Sequence, residues 1–225
     1  MSLRTIAIKE DHPSVARHKS HAQGLIPYCL ENTKLRIEQW VDIWKTDFVP
    51  DSLYFKNDAS GRFHVFFSGI QILLAETRLM GNKGMPKDSF TMILHGPTPR
   101  ASQQLAHGLR TGAMIREASI ESARQNGTAN PFTWDFYLYG FVALVKELTA
   151  GELPARVDGD MGEVWDLEKI LQERKDPWPG DWDEIFTLDD FEEPVEGWEA
   201  ARNQYVEHMD WIDRMDGWDL LTATA

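Results

Sequence analysis

Seven histidines and one cysteine are the residues of this 225-residue chain with the most direct claim on chemistry. His12, His18 and His21 crowd one short stretch, and on a helix His18 and His21, three apart, would share a face from which two imidazoles can reach one metal ion. Further ligands would have to come from Glu207, His208 or Asp210, and neither an H-E-x-x-H nor a paired E-x-x-H pattern ties these residues together. The expectation is surface histidines and no metal. Asp158-Gly159-Asp160-Met161-Gly162-Glu163 starts as a calcium loop does, with carboxylates two apart. That pattern then needs an oxygen side chain at its fifth position, glycine at its sixth and glutamate at its twelfth, where this chain has Gly162, Glu163 and Lys169. An acidic turn capping a helix over 161–174 is expected instead.

Nucleophiles fare no better. Ser68, in Phe67-Ser68-Gly69, lacks the flanking glycines of a nucleophile elbow. Cys29 has no histidine beside it in sequence and reads as a structural thiol. Gly81-Asn82-Lys83-Gly84 is glycine-rich but lacks the G-x-x-x-x-G-K-[ST] spacing whose backbone N–H groups wrap phosphates, so a surface turn is expected. No catalytic residue, cofactor or metal site is assigned.

Charge is more informative. The net charge of −13 is unevenly spread: residues 1–150 carry 17 basic and 14 acidic side chains, whereas residues 151–225 carry 6 and 22. Six of the nine tryptophans, Trp165, Trp178, Trp182, Trp198, Trp211 and Trp218, also lie in that acidic third. Disordered acidic tails are poor in aromatics, because without large apolar groups they cannot offset the entropy of ordering; this segment is expected to fold. Concentrated carboxylates repel nucleic acid and anionic lipid and steer cationic partners, while indoles supply the apolar anchors of an interface. Trp198, Trp211, Trp218, Asp210, Asp213 and Asp216 are the candidate partner-binding residues. Arg100, Arg110, Arg116 and Arg124 are spread around one helix and interrupted by Glu117 and Glu121, so direct nucleic-acid binding is not expected. They could instead face the acidic third and form an internal dock.

The elements that would position these groups read as helices. Leu30, Thr33, Ile37, Trp40, Val41, Trp44 and Phe48 recur at three- and four-residue steps, the mark of a helical stripe ended by Pro50. Residues 52–80 suggest a turn and then a helix, with a hairpin as the alternative. Phe90–Leu94 is too short for periodicity to assign. Thr98-Pro99 starts a long helix that Asn126-Gly127 stops, through a capping hydroxyl and a first-turn proline. Phe132–Leu148, apolar nearly all round, is expected to be the most buried helix and is too short for a membrane span. A first helix over 13–23, another over 161–174 and a last one over 194–216 complete the reading.

The expected fold is therefore mainly α, a multi-helix globular domain with at most a small β element near residues 52–67 or 90–94. Its expected organisation is a near-neutral helical core over 1–150 and an acidic, Trp-rich helical segment over 151–225. One cysteine excludes an intramolecular disulfide framework, and the absence of a secretory apolar region near Met1 suggests a cytoplasmic setting. The functional expectation is a non-enzymatic acidic protein that engages a basic protein partner, as an immunity protein or nucleic-acid-mimicking inhibitor would, without membrane or nucleic-acid contact. The alternatives are a structural or assembly subunit of a phage or secretion machine, homo-oligomeric or bound to another subunit, and a metal-dependent helical enzyme.

Overall fold

The computed structural model describes residues 4–10, 21–43, 59–130, 138, 140–174 and 178–179. Residues Met1–Glu192 form one compact unit. Four strands, β1 (Thr5–Glu10), β2 (Arg36–Asp42), β3 (Phe90–His95) and β4 (Ala155–Val157), make a sheet in the order β1-β2-β3-β4 with every neighbouring pair parallel. Among the described residues five α-helices accompany it, α1 (Ile26–Glu31), α2 (Ala59–Asn82), α3 (Pro99–Gln125), α4 (Phe141–Thr149) and α5 (Leu167–Glu173), with a 3-10 turn over His21–Leu25. The fold is mixed α/β, which overturns the expectation of a mainly α domain.

The correction centres on β2. Ile37 and Val41, four apart, satisfy a helical stripe, but they equally satisfy two steps of a strand's alternation. Two features decide for the strand. The chain is stopped after α1 by a turn in which Leu35 N–H donates to the Asn32 carbonyl (2.9 Å) and Lys34 N–H to Asn32 Oδ1 (3.2 Å). Beyond it Ile37, Gln39, Val41 and Ile43 are all buried, while Arg36 is exposed and Glu38 and Trp40 are half-buried. Trp40 thus points away from the residues with which a helix would have grouped it. Phe90–His95, unassigned by periodicity, is the strand beside it, and Phe63–Phe67, one arm of the alternative hairpin, lies inside α2. The expected helices over 13–23 and 194–216 lie wholly or mostly outside the described residues, as does the first part of Phe132–Leu148. Its second part is α4. The 161–174 helix begins later, at Leu167, with Asp166 accepting from Lys169 N–H as its cap.

Parallel neighbours require crossover connections, and right-handed crossovers between strands in consecutive order put their helices on one face of the sheet. Burial follows that rule. Ile37, Gln39, Val41, Phe90, Met92, Leu94, Ala155 and Val157 share the covered face and are all buried. On the other face Glu38, Trp40, Thr91, His95 and Arg156 stay partly or fully accessible, whereas Ile93 and Asp42 are buried. Above the covered face, Phe66, Phe67, Ile70, Leu73 and Leu74 of α2 are at most 1% exposed, and Phe67 meets Phe141 of α4 with ring centroids 5.3 Å apart. Each such side chain contributes ~1.5–3 kcal/mol by leaving water. An ion pair between Arg78 and Glu147 ties α2 to α4 at the surface, with Arg78 Nε donating to Glu147 Oε2 at 2.8 Å.

Helix α3 behaves as its signals predict. Thr98 Oγ1 accepts from Ala101 N–H (3.1 Å), Pro99 occupies the first turn, and Gly127 after the end takes a φ of 66°. Its first turn presses on the end of β3. A Cβ at Gly96 would stand 2.6 Å from Ala101 Cβ and 2.9 Å from Ser102 N, and Gly96 N–H donates to Ser102 Oγ (3.0 Å). Among the described residues no helix is long and apolar enough to cross a membrane.

Two outcomes are expected. Gly96→Ala forces α3 off β3 and lowers stability by about 1–3 kcal/mol in urea unfolding, as over-packing does. At the far end of α3, hydrogen bonds from Arg124 and then Gln125 lower the Glu121 carboxyl from 4.5 to about 2. Because the folded value is depressed, that clasp supports the helix end above about pH 4.5 and is lost as pH falls toward 2. An NMR titration of Glu121 should show this low midpoint, and Arg124→Ala should return it toward the ordinary value.

Candidate functional site

The described part of the acidic segment leaves β4 and runs as a strap along α3. Asp158 N–H donates to the Leu94 carbonyl (2.8 Å), which carries the sheet one residue further. Gly159 then passes so close to α3 that a Cβ there would stand 2.6 Å from the Ser102 carbonyl oxygen. The Gln103 side-chain amide holds Asp160 from both sides, with Nε2 donating to its carbonyl (3.1 Å) and Oε1 accepting from its N–H (2.9 Å). Arg110 Nε donates to the Glu163 carbonyl at 3.2 Å. Trp165, 6% exposed, closes the strap by donating from Nε1 to Glu117 Oε2 (2.7 Å). Glu117 Oε1 takes the Lys146 ammonium at 2.7 Å, and that ammonium also lies 5.2 Å from the Trp165 ring centroid.

Gln103, Arg110 and Glu117 are spaced seven and seven apart, which sets them in one line down α3. Seven helical residues rise about 10 Å. The strap meets Gln103 at Asp160 and Arg110 at Glu163, with a turn between them in which Gly162 takes a φ of 63° and donates its N–H to Asp160 Oδ1 (2.8 Å).

Every one of these attachments uses a backbone group of the strap or its indole. The carboxylates are left outside: Asp158, Asp160, Glu163, Asp166, Glu168 and Glu173 are all exposed, against the single cation Lys169 over residues 158–173. Two have ionic partners, both loose, Arg156 to Asp158 at 3.5 Å and Lys169 to Glu173 at 3.9 Å. Asp160 Oδ1 and Asp166 Oδ1 accept from Gly162 and Lys169 N–H respectively, which fixes the turns without removing charge. Residues 158–163 thus run against α3, and the helix they were expected to cap starts later, with Asp166 as its cap.

A second constellation stands where the parallel strands end, the edge at which open α/β sheets bind ligands. Register places Asp42 beside His95, and Asp158 follows on β4 at the same level, so three titratable residues form one row on the more accessible face. His95 Nδ1 lies 2.9 Å from the Gly96 carbonyl oxygen. A carbonyl only accepts, so Nδ1 is the donor of this contact. Trp40 meets His95 edge-on at 5.7 Å and receives the Arg156 guanidinium at 5.5 Å. Among the described residues, however, no three His, Cys, Asp or Glu side chains converge as a metal site requires. At the opposite edge a cavity of about 400 Å³ is lined by Phe90, Leu153, Lys87, Asp88 and Glu152 among others.

Trp198, Trp211, Trp218, Asp210, Asp213 and Asp216 lie outside the described residues, as do His12, His18 and the side chain of His21. Trp178 is half-buried beside the Arg174 guanidinium, 4.6 Å from its ring centroid. Of the four arginines on α3, Arg110 reaches the acidic segment through a carbonyl, Arg116 is 5% exposed, and Arg124 clasps Glu121. Sequence reasoning missed the line of Gln103, Arg110 and Glu117. Its signal was present as polar residues at heptad spacing, next to the apolar stripe of Leu105, Leu109 and Ala113.

Glu117→Gln should weaken two attachments at once, Lys146 and Trp165, at about 1–3 kcal/mol. Trp165 fluorescence should shift red and the Glu163–Trp165 amides should exchange faster with solvent; unchanged exchange there would mean that the strap is held by other groups. No family model, curated protein or solved structure matches this chain.

Proposed function

We propose that the chain is a non-enzymatic acidic binding protein whose last third docks a basic surface of a protein partner, in the manner of an immunity protein or a nucleic-acid-mimicking inhibitor. One observation carries the reading: among the described residues the strap is fastened to α3 through its backbone and one indole, and the six carboxylates of residues 158–173 remain exposed. An acidic segment folded to neutralise the chain's own arginines would have spent those carboxylates internally. A fixed array of like charges loses little side-chain and backbone entropy on binding and steers a cationic partner into encounter. Charge of this kind acts chiefly on the association rate. A cytoplasmic setting fits the single buried Cys29. An assembly subunit would use the same surface against a neighbouring subunit and would differ in stoichiometry.

The test compares the wild type with the triple variant Glu163→Gln, Glu168→Gln and Glu173→Gln, whose side chains make no attachment of the strap to α3. Proteins retained from a native lysate by the wild type are identified, and association of the retained protein is followed from low to high salt. The partner should be basic, its association should slow as salt rises, and the triple variant should associate at least several-fold more slowly with little change in dissociation. A partner that is itself acidic, or one whose association ignores salt, would refute the proposal.

A further inference from the structure

The sheet has two outer strands among the described residues, and they differ in what they offer. β4 is three residues long, preceded by Pro154 and followed by the tightly packed Gly159. β1 is six residues long, Thr-Ile-Ala-Ile-Lys-Glu. Arg36 N–H donates to the Arg4 carbonyl (2.8 Å), and this bond fixes the alternation along β1. The backbone groups of Ile6, Ile8 and Glu10 turn toward β2, and those of Thr5, Ala7 and Lys9 turn outward. Thr5, Ala7 and Lys9 are exposed. Three N–H and three C=O groups thus line a straight outer edge that carries no proline, no bulge and a single lysine, the kind of edge that natural sheets otherwise blunt or pair.

We infer that β1 is a homodimer edge: two copies of this chain pair their β1 strands antiparallel about a two-fold axis at Ala7, joining two four-stranded sheets into one. The outward residues 5, 7 and 9 are symmetric about Ala7, so this register alone pairs every outward group. Ala7 exchanges two hydrogen bonds with its own copy, and Thr5 exchanges two with Lys9 at each end. Shifting the register by two residues leaves outward groups unpaired at the strand ends. The same register sets Ile6 opposite Ile8, so apolar character matches across the axis. The two Lys9 residues stand about 14 Å apart and do not oppose each other. A two-fold contact that is complementary to itself is the commonest route to a closed oligomer, which favours a second copy over an unrelated extended peptide. The inference is independent of the acidic strap.

Light scattering of the full chain should give twice its 25.8 kDa mass. Ala7→Pro removes an outward N–H and no bond to β2, so it should yield a folded monomer with the wild-type circular dichroism spectrum. Ala7→Cys should oxidise to a covalent dimer, because residues at the axis are about 5.5 Å apart at Cα, within disulfide reach. Lys9→Cys should not, and buried Cys29 does not compete. A wild-type monomer at tens of micromolar, or a dimer that survives Ala7→Pro, overturns the inference. So does an Ala7→Cys chain that stays uncrosslinked or links only to a different protein, and this variant decides the matter should the proline variant fail to fold.

Discussion

The fit between the first turn of α3 and the ends of β3 and β4 is the constraint on which the rest of the structure depends. Ser102 sits where Gly96 and Gly159 both approach too closely for any side chain: its hydroxyl takes the Gly96 amide, and its carbonyl lies against Gly159. With that corner fixed, α3 packs against β3 and β4. The line of Gln103, Arg110 and Glu117 is then aimed at the chain emerging from β4. The strap is held at intervals along α3 by Gln103, Arg110 and Glu117, and it turns at Gly162 before Asp166 caps α5.

This arrangement separates two roles that charged residues often share. The polar groups of α3 are satisfied by carbonyls, an amide and an indole of the strap, and Glu117 by a lysine as well, so the interior of the contact is hydrogen-bonded. The carboxylates of the strap remain in water, where exposed ion pairs add little stability. Folding therefore does not consume the acidity of the segment. The sheet shows a similar division: one face is buried, the other keeps Trp40, His95 and Arg156 accessible, and β1 is an outer strand among the described residues.

What could be read along the chain was whatever depends on near neighbours. Thr98-Pro99 and Asn126-Gly127 mark the ends of α3 because capping is settled within four residues. The stretch from Leu30 to Phe48 misled for a related reason. Ile37 and Val41 are four apart, a spacing common to both periodicities, and only their pairing with β1 and β3 decides that they belong to a strand. Parallel strands are also hard to see individually, since each is short and its partners come from remote segments joined by crossovers. Ala155–Val157 and Phe90–His95 have no hairpin turn to announce them.

The amino-acid order by itself determined the charge division near residue 150, the single cysteine and the limits of α3. These follow from composition, caps and fixed spacings, which no fold can alter. Tertiary structure alone decided that the carboxylates of the strap face solvent while Trp165 is buried. It also decided that Asp42, His95 and Asp158 share one row and that β1 lies at an edge. Each of these is a relation between residues tens of positions apart, set by which backbone groups pair across strands and which side chains find room against α3.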